Sequence, residues 1–81
     1  MKLISTFPIE TKTVDYFGIQ LTVPRLIECL ATDKDGFIYA YREAPNLNDG
    51  VWLASKFSTF CMPVARVDLE DIDWKETLVQ V

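Results

Sequence analysis

Ile27–Glu43, IECLATDKDGFIYAYRE, decides the fold of this chain. It reads as two strands folded back on each other about Asp33-Lys34-Asp35-Gly36. Gly36 takes the positive φ that a short hairpin connection needs, and Asp33 and Asp35 are suited to bonding their own turn backbone. After the turn, Phe37, Tyr39 and Tyr41 fall on one face and Ile38, Ala40 and Arg42 on the other. Before it, Ile27, Cys29 and Ala31 oppose Glu28, Leu30 and Thr32. A hairpin alone is marginal in water, so the flanking segments must cover it.

Working outward, Glu10–Phe17 and Ile19–Val23 also alternate: Val14 and Tyr16 take one face against Thr11, Thr13 and Asp15, and Ile19, Leu21 and Val23 are directed inward. Gly18 between them marks a first hairpin, against the competing reading of a bulge in one bent strand. Residues 1–9 read as a short edge strand ended by Pro8. Pro24-Arg25-Leu26 is a helical turn leading into a strand from Ile27, since seven residues make a poor helix.

On the other side, Ala44–Gly50 (APNLNDG) reads as a loop, and Asn48-Asp49-Gly50 as a turn that returns Val51–Ser55 as a third strand beside 37–43. Lys56–Pro63 lacks a clean period and reads as a loop laying Phe57, Phe60 and Met62 on the sheet. Val64–Leu69 is a last strand. For Asp71–Val81 a short amphipathic helix and a strand over 77–81 compete. The expected fold is mainly β, or α+β. It is one domain of 81 residues with a small antiparallel sheet of 4–6 strands built on the 27–43 hairpin and room for one short C-terminal helix.

Composition narrows function by subtraction. There is no histidine, so the commonest general base is missing. Cys29 and Cys61 lack CxxC spacing and read as reduced, buried thiols rather than a disulfide, a zinc site or a nucleophile. The Asp33–Gly36 turn resembles half a calcium loop, but Ala31 stands where an earlier ligand is required. Three isolated glycines form no phosphate loop. Neither catalysis, nor a metal, nor a cofactor is expected. No apolar run reaches the ~20 residues of a membrane span, and MKLISTFPIE meets Pro8 and Glu10 too soon for a signal-peptide core. A cytoplasmic protein without a membrane partner is the expectation.

The net charge is −4, and residues 1–67 are neutral. The excess lies at the C-terminal end, where Asp68, Glu70, Asp71, Asp73 and Glu76 face only Lys75. That distribution argues against direct nucleic-acid binding, which needs a cationic footprint. Phe37, Tyr39 and Tyr41 accordingly read as core aromatics rather than a base-stacking platform. In DLEDIDWKE, carboxylates interleave with Leu69, Ile72 and Trp74. Such a segment either pins its apolar residues into the core or offers an edge on which Trp74 anchors and Asp68, Glu70, Asp71, Asp73 and Glu76 steer a basic partner.

Val23-Pro24, Ala31-Thr32-Asp33-x-Asp35-Gly36, Ile38-Tyr39-Ala40-Tyr41, Pro45, Trp74 and Leu78 together resemble small accessory proteins encoded in phage and prophage genomes. The resemblance spans about half the chain and carries over no functional residue. It implies a class: small proteins that bind and divert a host protein, including host defence systems; the acidic edge adds a nucleic-acid-processing enzyme, on which it would occupy the place of phosphates. The expected function is a non-enzymatic interaction protein in the host cytoplasm, compatible with a homodimer. The alternative is a structural subunit of a virion or homo-oligomer that pairs through sheet edges.

Overall fold

The computed structural model describes residues 1–5 and 10–81 of the chain. Two strands, β1 (Thr11–Tyr16) and β2 (Ile19–Pro24), form the first hairpin, with Tyr16 opposite Ile19 across a two-residue turn. Phe17 and Gly18 both hold positive φ, +50° and +81°, the backbone that lets a two-residue connection follow the twist of its strands. The hairpin reading therefore holds over the bulge. Ile19 differs: it is exposed, and only Leu21 and Val23 of β2 turn inward. Of the expected edge strand over 1–9, residues 6–9 lie outside the described residues and 1–5 carry no strand.

The second hairpin pairs β3 (Cys29–Thr32) with β4 (Phe37–Tyr41), Thr32 facing Ile38 and Cys29 facing Tyr41. The amide of Gly36 donates to the Asp33 carbonyl and the amide of Asp33 to the Phe37 carbonyl, both at 2.9 Å. This is a three-residue loop closed by a glycine at φ +91°. Asp35 Oδ1 accepts from the Phe37 amide within the turn, whereas Asp33 Oδ1 reaches across to the Trp52 amide at 2.8 Å. The strand begins at Cys29 rather than Ile27. Residues 24–28 turn first, through an Ile27 amide to Pro24 carbonyl bond, and this puts Ile27 on the same side as Leu30.

Strand β4 is central. Its other neighbour is β7 (Cys61–Arg66), not Val51–Ser55. The 44–50 stretch is only partly loop: β5 (Asn46–Asn48) and β6 (Val51–Leu53) pair with each other about Asp49-Gly50 as a small separate hairpin. The turn falls at Asn48-Asp49-Gly50 as the sequence predicts, but it joins the residues on either side of it instead of returning the chain to β4. Consequently 61–63, expected as loop, belong to the sheet, and the strand expected over 64–69 ends at Arg66. At the C-terminal end both competing readings are realised in miniature. A 3-10 turn spans Trp74–Glu76, and β8 (Val79–Gln80) pairs with β3. The sheet order is β7-β4-β3-β8, all antiparallel, and the fold is mainly β.

Both faces of this sheet are covered, which explains why every residue of β3 is buried. On one face Leu30, Ile38 and Ala40 pack with Tyr16, Leu21, Val23 and Ile27. On the other, Cys29, Ala31 and Tyr41 pack with Trp52, backed by Tyr39, Ala54 and Trp74. Edge strand β7 carries Pro63 and a register irregularity opposite Ile38/Tyr39, features that blunt an open edge.

Candidate functional site

The acidic segment is fixed at both ends. At its start the Val67 amide donates to the Gly36 carbonyl at 2.8 Å, tying the end of β7 to the β3–β4 turn. At its end sits a buried polar knot. Thr77 Oγ1 accepts from the Thr32 amide at 2.9 Å and meets the Trp74 carbonyl at 2.7 Å. Tyr16 Oη donates to the Thr77 carbonyl at 2.8 Å and accepts from Thr32 Oγ1 at 2.7 Å. Trp52 Nε1 donates between the carbonyls of Thr32 and Trp74, at 3.1 and 3.3 Å. Among the described residues no buried side-chain nitrogen or oxygen lacks a partner. That is what permits hydroxyls in a core this small.

Between these anchors, residues 68–73 run as consecutive turns. Asp68 Oδ1 accepts from the Glu70 amide at 2.9 Å, Glu70 sits at φ +51°, and the Ile72 amide closes onto the Leu69 carbonyl. Asp73 Oδ1 caps the 3-10 turn by accepting from the Lys75 amide at 3.0 Å. Asp68, Glu70, Asp71, Asp73 and Glu76 all face solvent. Lys75 approaches Asp73 at 3.9 Å, an exposed pair of little energetic weight, so the excess charge stays uncompensated by it.

Trp74 lies elsewhere than its neighbours. Its half-buried ring meets Trp52 edge to face, centroids 6.4 Å apart, beside the β5–β6 turn. Trp74 is thus engaged in the second core. The apolar residues that accompany the carboxylates are different ones. Asp68 and Glu70 edge a cleft of about 200 Å³ between the segment and the first hairpin. Tyr16, Phe17, Ile19, Leu69 and Ile72 form its walls, with Thr32 and Ile38 at its base. Phe17, Ile19 and Ile72 are 49%, 42% and 41% exposed there. The sequence reading missed Phe17 and Ile19. The available signal was a phenylalanine at the first position of a two-residue turn, where Asn or Asp is the usual choice.

Other groups are occupied. Both cysteines are free, but only Cys29 is buried as expected; Cys61 is exposed because it opens edge strand β7, and desolvation around each sulfur still pushes both thiols up from their ordinary value, which disfavours the thiolate. Burial also raises Asp33, against the lowering effect of the Trp52 amide. Among the described residues no three His, Cys, Asp or Glu side chains gather as a metal-binding group, and no helix is long and apolar enough to cross a membrane. Comparison with known protein families, with curated proteins and with solved structures gives no match to this chain.

Proposed function

We propose that this chain is a non-enzymatic interaction protein, phage-encoded as its resemblance implies, that binds and restrains a host protein through the acidic surface of residues 68–76. One observation carries the reading: all five carboxylates of the segment face water, on backbone anchored at Gly36 and at Thr77. A segment already held in place loses little freedom on docking, and clustered negative charge speeds encounter with a basic surface. Basic surfaces are typical of nucleic-acid-processing proteins, which makes one of these the favoured host target. At the four-stranded sheet the assembly alternative has less support, because β7 carries Pro63 and β8 offers only two residues to an incoming strand.

The test is capture from bacterial lysate by the immobilised chain, with the retained protein identified and its affinity measured. Asp73 caps the 3-10 turn, so the informative variant is Asp71→Lys/Glu76→Lys, which spares every capping bond. Affinity is expected to fall about tenfold or more, mostly through slower association, and to weaken with added salt. Unchanged affinity and no salt dependence would remove the acidic surface from the function.

A further inference from the structure

We infer that the cleft between the first hairpin and the 67–72 segment is a socket for one large apolar side chain, presented by a partner segment with lysine or arginine on either side of it. This rests on the interaction reading above and adds the chemistry of what is bound.

Size comes first. About 200 Å³ is below the roughly 300–1,000 Å³ of pockets that enclose a small-molecule ligand, and it suits a single anchoring side chain. Lining comes second. Phe17, Ile19, Leu69 and Ile72 supply apolar walls, three of them substantially exposed, as in the pockets that receive interface anchors. Charge comes third and selects the flanks. The charged side chains lining the cleft are Asp68 and Glu70; Lys34 and Arg66 border the same two carboxylates from the adjoining depression but do not line the cleft itself. A neutral or acidic segment would leave those carboxylates facing an apolar or like-charged partner, whereas flanking cations complement them.

The backbone points to the same place. Among the described residues, two non-glycine residues hold positive φ, Phe17 at +50° and Glu70 at +51°, and both line this cleft from opposite sides. Turn chemistry alone would put asparagine or glycine at such positions. The turns account for the backbone but not for the choice of a phenylalanine and a glutamate in place of asparagine, and what these two side chains share is the cleft.

Asparagine tolerates the left-handed region, so Phe17→Asn and Glu70→Asn remove the wall and the charge without opposing either turn. The probes are synthetic peptides: Lys-Lys-Phe-Lys-Lys, its Ala-centred counterpart, Gly-Gly-Phe-Gly-Gly and Glu-Glu-Phe-Glu-Glu. Each is titrated to millimolar concentration against the labelled chain while methyl and aromatic NMR shifts are followed. The basic Phe peptide should move the signals of Phe17, Ile19 and Ile72 and bind at least fivefold tighter than the other three. Each Asn variant should weaken it at least fivefold while melting within roughly 5 °C of the parent.

The inference is overturned by no shifts at these residues, by equal binding of the Ala-centred peptide (charge alone) or of the Gly- or Glu-flanked peptide (apolarity alone), by Asn variants that bind as the parent does, or by the same shifts on concentrating the chain without peptide, which would make a second copy the occupant. The two readings fail separately. If the captured host protein responds to Asp71→Lys/Glu76→Lys but not to Phe17→Asn, the acidic surface stands and the socket falls.

Discussion

Gly36 shows how much of this fold hangs on single positions. Its φ is +91°, and a Cβ built on it would run into the backbone carbonyl of Val67, whose amide donates to the Gly36 carbonyl. The glycine therefore does two things: it closes the β3–β4 loop and lets the end of β7 approach it. Alanine there carries the left-handed cost of about 1–2 kcal/mol and also displaces main chain that cannot rotate away. We expect Gly36→Ala to destabilise by about 3 kcal/mol, lowering the melting temperature by roughly 12–24 °C. Gly18 is the control. Its φ of +81° is similar, yet nothing lies within 4 Å of an added Cβ, so alanine there should cost only about 1 kcal/mol. Thermal melts of the two variants side by side decide it. Equal losses would mean that Val67 does not approach Gly36 as described.

At the scale of elements, the knot around Thr32 and Thr77 holds the pieces in register. It joins β3, the first hairpin through Tyr16, the β5–β6 hairpin through Trp52, and the 3-10 turn through Trp74. Thr77→Val keeps the branched shape but leaves the buried Thr32 amide without its acceptor, which should cost about 2–3 kcal/mol. Tyr16→Phe removes the hydroxyl between Thr32 and Thr77 and should cost about 1–2 kcal/mol. Both changes act on groups that Thr32 bridges, so the double variant should lose at least about 0.5 kcal/mol less than the sum. Urea midpoints at unchanged m-value provide the measurement, and strict additivity would show two independent bonds rather than a network. The elements legible in sequence were those whose partners are adjacent. The Phe17-Gly18 and Asp33–Gly36 hairpins were read from their turn residues and alternation. The partner of β4 was not legible. Val51–Leu53 and Cys61–Arg66 are both short apolar stretches, and only packing separates them: Trp52 fills the face formed by Cys29, Ala31 and Tyr41, which leaves the edge of β4 to β7. The C-terminal end stayed ambiguous because its 3-10 turn and two-residue strand are too short to impose either period.

Across the whole molecule, the charge of the candidate site was visible in sequence, but its geometry was not. Counting residues located the acidic segment, whereas only the fold could bring Phe17 and Ile19, some fifty residues away in the chain, against Asp68 and Glu70. It also moved Trp74 to the opposite core. The same two cores determine how the protein responds to alkali. Tyr16 and Tyr41, one in each, are almost wholly buried, and loss of hydration pushes both phenols above their ordinary value of about 10. Hydroxyls of Thr32 and Thr77 partly oppose this at Tyr16, while at Tyr41 the neighbouring Cys61 and Asp33 add to it. Above pH 10 the unfolded chain has released these protons and the native chain has not, so the unfolded state binds fewer protons and stability falls as pH rises. The tyrosine contribution is complete below pH 10 and is withdrawn through the window above it, at up to about 1.4 kcal/mol per pH unit for each phenol. Cys29 and Cys61, raised by the same cause, start the decline slightly earlier. Urea denaturation between pH 8 and pH 11 should show this slope, and Tyr41→Phe should remove more of its tyrosine part than Tyr16→Phe, because nothing opposes the rise at Tyr41. Stability that stays level or rises over that interval would mean that the two phenols ionise as freely in the native protein as in the unfolded chain, and hence that neither core is closed around them.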